Sequence, residues 1–218
     1  MTEEVAMTTE QRDGPRALIV VDVQPTFCEG GELPVVGGNA VATRIAEYLR
    51  ERGERYDLVI TTQDWHVDPG SHFSDQPDFI DTWPPHGIAG TPNAELHPAI
   101  TPALAGLPRV RSLRKGSNGA AYSGFEATDE TGRSLDAVLR EAGVEAVDIC
   151  GIAESHCVKA TALDAVRRGY QTTVYRDLTV PVSEELGERA RAEMAAAGVQ
   201  LVWSHTSAED DSRPATTS

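Results

Sequence analysis

Positive charge is scarce in this chain. Against 34 Asp and Glu stand only 19 Lys and Arg over 218 residues, a formal net charge of −15. Binding to nucleic acid needs a basic face, so that class of partner is excluded. An anionic membrane surface is excluded for the same reason. Long apolar runs are also missing, and nothing approaches the roughly 20 residues of a membrane-spanning helix. The opening MTEEVAMTTEQRDG has neither a basic start nor an apolar stretch, so no signal peptide is expected. Cysteine is limited to Cys28, Cys150 and Cys157. An odd, sparse set without a secretion signal predicts free thiols in a reducing, cytoplasmic setting.

What the chain does contain is 40% hydrophobic residues, arranged in alternating patterns. Apolar runs predict strands at 17–24, 57–64, 109–113, 146–153, 171–177 and 199–204. Helical spacing predicts helices at 39–53, 134–143, 155–170 and 183–198. The expected fold is one α/β domain at residues 15–204. It is a three-layer sandwich with a six-stranded, mainly parallel sheet and helices on both faces. The polar tails, residues 1–14 and 205–218, are expected to be disordered. Residues 64–108 break the rhythm, being rich in Pro, Gly, Asp and His. A loop of that length is usually functional or disordered. Trp65, Phe73, Phe79, Ile80 and Trp83 read as apolar anchors and favour function.

Ligands of an open parallel sheet bind outside the carboxyl ends of its strands. Those ends carry Asp22, Asp64 with His66, Lys115, and the turn leading to Cys157. Ser155 is a candidate N-cap, which would set Cys157 in the first helical turn, where the dipole favours a thiolate. The competing reading of Cys157 is a small buried hydrophobe. Asp22 is the candidate base, with burial raising its pKa and Lys115 opposing that shift. His156 is a poor direct base, since adjacent helical side chains diverge by about 100°. Cys150 reads as core and Cys28 as structural.

In extended chain, residues two apart face the same way, so Asp64 and His66 point together and Trp65 away. "DPG" at 68–70 predicts a type II turn that returns His72 to the pair. His86 follows the stiff "WPP". Mixed carboxylate and imidazole donors suit one divalent ion, Zn, Mn or Fe. His97 reads as structural, and His205 falls in the tail.

Five stretches, "LIVVDVQPTFCEGGELPVVGG", "TTQDWHVDPGSHFS", "WPPHGIAGTPNAELHP", "RKGSNGAAYSGFE" and "GIAESHCVKATALDAVRRGY", together resemble the nicotinamidases (pyrazinamidases) among the isochorismatase-like cysteine hydrolases. The resemblance implies the isochorismatase-like hydrolase fold and deamidation of nicotinamide, with pyrazinamide as a further substrate. It implies a catalytic triad of Asp22, Lys115 and Cys157, and metal ligands Asp64, His66, His72 and His86. It places Phe27 and Trp83 as walls around the pyridine ring. Ile152 and Ala153 correspond to a cis peptide whose N–H joins that of Cys157 in the oxyanion hole, and Tyr122 and His156 lie near the pocket. The family often has a second aspartate where this chain has Thr26. Alternatives are an amidohydrolase for carbamoyl or ureido substrates and a non-catalytic binding module. The expected partner is a small molecule; a homo-oligomer is compatible with the sequence.

Overall fold

Strand β1 (Arg16–Val21) is buried on both sides because its side chains alternate. Ala17, Ile19 and Val21 enter one core, Leu18 and Val20 the other. Each fully buried aliphatic chain of this kind contributes roughly 1.5–3 kcal/mol. The computed structural model describes residues 14–205; the expected tails lie, but for Gly14 and His205, outside them.

The remaining strands are β2 (Leu58–Asp64), β3 (Val110–Lys115), β4 (Ala146–Ile152), β5 (Gln171–Val180) and β6 (Gln200–Val202). Among the described residues they form one sheet in the order β3-β2-β1-β4-β5-β6, with every pairing parallel. Helices α1 (Gly38–Arg52) and α2 (Ile100–Leu104) cover one face. Helices α3 (Leu135–Glu141), α4 (Lys159–Arg167) and α5 (Glu184–Ala196) cover the other. The three layers match expectation. Helix α1 buries Val41, Ile45, Tyr48 and Leu49, one stripe at helical spacing. Ser134 and Ser183 cap α3 and α5 through side-chain oxygens that accept from the Ala137 and Leu186 N–H groups.

The chain runs outward from β1 to β3, then returns to lay β4 against the other side of β1. That reversal opens a crevice between the carboxyl ends of β1 and β4. Asp22 follows one of those ends, and the turn bearing Cys157 follows the other.

Four local expectations need correction. The predicted helix at 155–170 is two pieces: a π-helical turn at Glu154–Val158, then α4. Ser155 lies inside that turn and does not cap it; Ala153 occupies the cap position. The "DPG" turn is not type II. Pro69 has ψ 7° where type II needs about 120°, and Gly70, at φ 57°, opens a short 3-10 turn that carries His72. Within 64–108, Phe79 and Ile80 are not buried anchors: they are 58% and 74% exposed, and Phe79 only meets the Trp83 ring edge-on at the cavity rim. The Asp78 carboxylate builds their turn instead, accepting the N–H groups of Ile80, Asp81 and Thr82. Strand β5 also runs three residues past its predicted end, to Val180.

Candidate active site and metal centre

Lys115 ends β3 with its side chain fully buried, and three groups surround its Nζ. The Asp22 Oδ2 lies at 2.9 Å and the Cys157 Sγ at 3.8 Å, while Asp64 Oδ1 pairs with it directly. The Ala121 carbonyl accepts a further bond at 2.8 Å. Register explains the pairing with Asp64: Asp64 and Lys115 are Cα partners across β2 and β3. Asp22 sits just beyond β1 at φ 48°, an uncommon conformation for a residue with a side chain. Its Oδ1 accepts the Thr62 hydroxyl at 2.7 Å.

Burial dominates the ionisation here. It raises the Asp22 carboxyl, with Lys115 pulling the other way. Burial pushes the Cys157 thiol well up, again opposed by Lys115. The sulfur therefore rests as a thiol, not as the thiolate expected from a helix N-terminus. Asp64 behaves differently. Burial acts to raise its carboxyl, but Lys115 and His66 together hold it well below the usual carboxylate range.

Beside Asp64, the ligand nitrogens of His66, His72 and His86 lie within 4.8 Å of one another, all on buried residues. Asp64 Oδ2 is 3.7 Å from the Nε2 atoms of His66 and His86. Each ring uses its other nitrogen on a carbonyl: His66 Nδ1 on Gly116 at 2.6 Å, His86 Nδ1 on Pro84 at 2.7 Å, and His72 on Asp81. In a neutral ring whose outer nitrogen donates, the inward nitrogen is a bare lone pair. Buried His66 Nε2 and His72 Nδ1 have no hydrogen-bond partner among the described residues. Burial lowers His72, and lowers His86 to about 4, so both are neutral imidazoles at pH 7. Orphaned, neutral, converging nitrogens beside a carboxylate fit a divalent cation.

Gly116 makes the His66 orientation possible. At φ 78° it turns its carbonyl to the ring, and a Cβ there would lie 2.6 Å from His66 Cε1. Gly116→Ala should weaken divalent-metal affinity on the order of 10- to 100-fold. Chelator competition reads this directly, and an unchanged affinity would show that the Gly116 contact does not orient the ligand.

Cys157, Asp64, His72 and His86 line one cavity of about 520 Å³, with Asp22, Lys115 and His66 behind them. Phe27, Trp83, Tyr122, Ile152, Ala153 and His156 add its aromatic and apolar walls. Trp83 donates its indole N–H to the Tyr122 hydroxyl at 2.8 Å, and its ring meets His156 edge-on at 5.6 Å. The Ile152–Ala153 peptide is cis. Trp65 faces away as expected, with the Arg114 guanidinium 3.6 Å above its ring. It borders a second cavity of about 720 Å³ behind β3, whose lining includes no Cys or His.

His97 bridges Asn39 and the Ala99 N–H, away from the cluster. Cys28 and Cys150 are buried in the α1-side core, with thiols pushed up by burial, to about 12 for Cys28. Sequence reading missed Gln24. Its side chain accepts the Asp64 N–H at 2.8 Å and donates to the Asp64 and Ala94 carbonyls, lashing the ends of β1 and β2 together. The visible signal was an amide one turn-residue past a strand-end aspartate. Thr26 accepts the Gly87 N–H at 3.0 Å beside His86, and its hydroxyl also meets Glu32 at the cavity edge.

A parallel-sheet crevice holding a buried carboxylate, lysine and thiol is the arrangement that comparison with known proteins places in a class of hydrolases. The isochorismatase domain model matches residues 16–206, and the chain belongs to that family. It is 50% identical over 190 residues to the nicotinamidase/pyrazinamidase of Mycobacterium tuberculosis, covering 87% of this chain and 99% of the relative. It is 38% identical to the nicotinamidase of Acinetobacter baylyi, covering 86% and 92%. The structure of the Pyrococcus horikoshii pyrazinamidase in complex with zinc matches with a TM-score of 0.69 at 38% identity, covering 86% of this chain and 98% of that one. No helix among the described residues is long and apolar enough to cross a membrane.

Proposed function

We propose that this chain is a metal-dependent nicotinamidase that hydrolyses nicotinamide to nicotinate and ammonia and also accepts pyrazinamide. One observation carries the reading: Lys115 Nζ touches Asp22, Asp64 and Cys157 at once, and Asp64 and Cys157 line one cavity with His72 and His86. The names of the relatives supply the substrate.

The sulfur starts as a thiol, so attack needs a base. Asp22, whose basicity burial increases, takes the proton as Cys157 Sγ adds to the carboxamide carbon. The N–H groups of Ala153 and Cys157 hold the oxyanion, a contribution typically worth about 2.7–4 kcal/mol per donor. Asp22 then gives its proton to departing ammonia, leaving a thioester that water hydrolyses. Lys115 balances the negative charge shared by Asp22, Asp64 and the sulfur. Phe27 and Trp83 wall the ring on either side, with Tyr122, Ile152 and His156 completing the slot. His66, His72, His86 and Asp64 are the residues that would hold a divalent ion, Zn, Fe or Mn. When bound there, the ion supplies a Lewis acid for the ring nitrogen. Buried free thiols at Cys28, Cys150 and Cys157 suit the cytoplasm.

The test is ammonia release from nicotinamide and pyrazinamide, beside a panel of carbamoyl and ureido compounds. It is run on protein stripped by chelator and on protein reloaded with Zn, Mn or Fe(II). Activity on the two ring amides, lost on stripping and restored by metal, is expected. Turnover of the ureido compounds alone, or full activity in protein that elemental analysis finds metal-free, would overturn the reading.

A further inference from the structure

The turn that carries Cys157 has local bonds, Ser155 to His156 and Thr161 to the Cys157 carbonyl, and is braced further from outside. It is π-helical, with the Val158 N–H reaching back to the Ala153 carbonyl at 3.1 Å, and no side chain caps it among the described residues. Such wide turns are uncommon and need outside support to persist. That support comes from α5 and the segment before it. Glu154, the first residue of the turn, is 2% exposed, and its Oε2 lies 2.7 Å from Arg191 Nη1. The other arm of Arg191 bonds Glu184, at the start of α5. Ser155, next in the turn, accepts the Val182 N–H at 3.2 Å. A buried carboxylate three residues from the sulfur is thus tied by a two-armed guanidinium to a separate helix. The groups facing Glu154 are Arg191 and Arg176, which favour its charge, and Glu184, which opposes it.

We infer that Glu154 and Arg191 are positioning residues for the reaction: their buried ion pair fixes the nucleophile turn so that the Cys157 sulfur stays against Lys115 and Asp22. Neither residue lines the ring slot, so the pair acts chiefly on the sulfur and only through His156 on ring binding. The inference rests on Cys157 being the nucleophile, as the proposed function holds.

Arg191→Met should lower kcat for nicotinamide on the order of 100-fold, the effect of a displacement near 1 Å in a reacting group. KM should change far less than kcat, because Phe27, Trp83 and Tyr122 hold the ring from other segments and His156 is the slot's contact from within the turn. Arg191→Lys, which keeps a cation facing Glu154, should recover most of the loss. Alkylation of Cys157 by iodoacetamide should slow in Arg191→Met and recover in Arg191→Lys. Alkylation does not depend on which amide is the substrate: an inactive wild type with the same alkylation pattern would reject nicotinamide and keep the clamp. Glu154→Gln, which preserves shape and removes the charge, is the second variant should Arg191→Met fail to fold; it should show the same kcat and alkylation loss. Wild-type kcat and alkylation in a folded variant, or equal losses in Arg191→Met and Arg191→Lys, would overturn the proposal.

Discussion

Cys157→Ala should abolish ammonia release, with kcat falling on the order of 10⁵- to 10⁶-fold, as when an acyl-enzyme nucleophile is deleted. The fold should survive, because alanine fits the site and the lost sulfur contacts are few beside the core that β1 and β4 share. Nicotinamide should still bind, since Phe27, Trp83 and the histidine cluster do not depend on the thiol. Equilibrium binding by calorimetry on metal-loaded protein, alongside the ammonia assay, separates these effects. Residual turnover within about 100-fold of wild type would reject a covalent route through Cys157 and leave a water-attack mechanism in its place.

The second large effect concerns Lys115. Its Nζ is the cation facing Asp22, Asp64 and Cys157, and both carboxylates are buried. Lys115→Met removes the partner and leaves two acids in a dry pocket. Breaking a buried ion pair typically costs about 3–5 kcal/mol. For a chain of this size each kcal/mol shifts Tm by about 2–4 °C, so a fall on the order of 6–20 °C is expected in metal-free protein. Asp22→Asn added to Lys115→Met should recover part of that loss by removing one unpaired charge. Differential scanning calorimetry of the single and double variants measures it. A Tm unchanged by Lys115→Met, or a double variant less stable than the single, would show that the lysine does not hold the carboxylates in place.

Much of this site was readable from strand ends alone. Asp22 and Asp64 close buried strands and Lys115 closes the half-exposed strand β3, and parallel pairing brings such ends to one rim. The period-two rule placed His66 beside Asp64 and sent Trp65 to the opposite side. The return of His72 was anticipated, though by the wrong turn: proline and glycine mark a reversal, but ψ of Pro69 is set by contacts that local sequence does not contain. The Cys157 turn was misread for a similar reason. "SHC" has the residue types of a capped helix, and nothing local distinguishes that from a π-helical turn braced by Arg191, 37 positions away. Phe79 and Ile80 were misjudged because an apolar side chain in a long loop signals burial only if something packs on it. Here a single Asp78 carboxylate organises the turn and leaves both largely exposed, with only Phe79 reaching the edge of Trp83.

Asp64 belongs to two neighbourhoods: one oxygen meets Lys115, and the other faces His66 and His86. The histidine cluster and the Lys115–Cys157 group therefore share a single side chain. Exchanging one ion for another would alter how much electron density that carboxylate can lend to the ammonium, and through it the acidity felt at the sulfur. On the proposed function, the choice of ion and the strength of the nucleophile would be set together through Asp64.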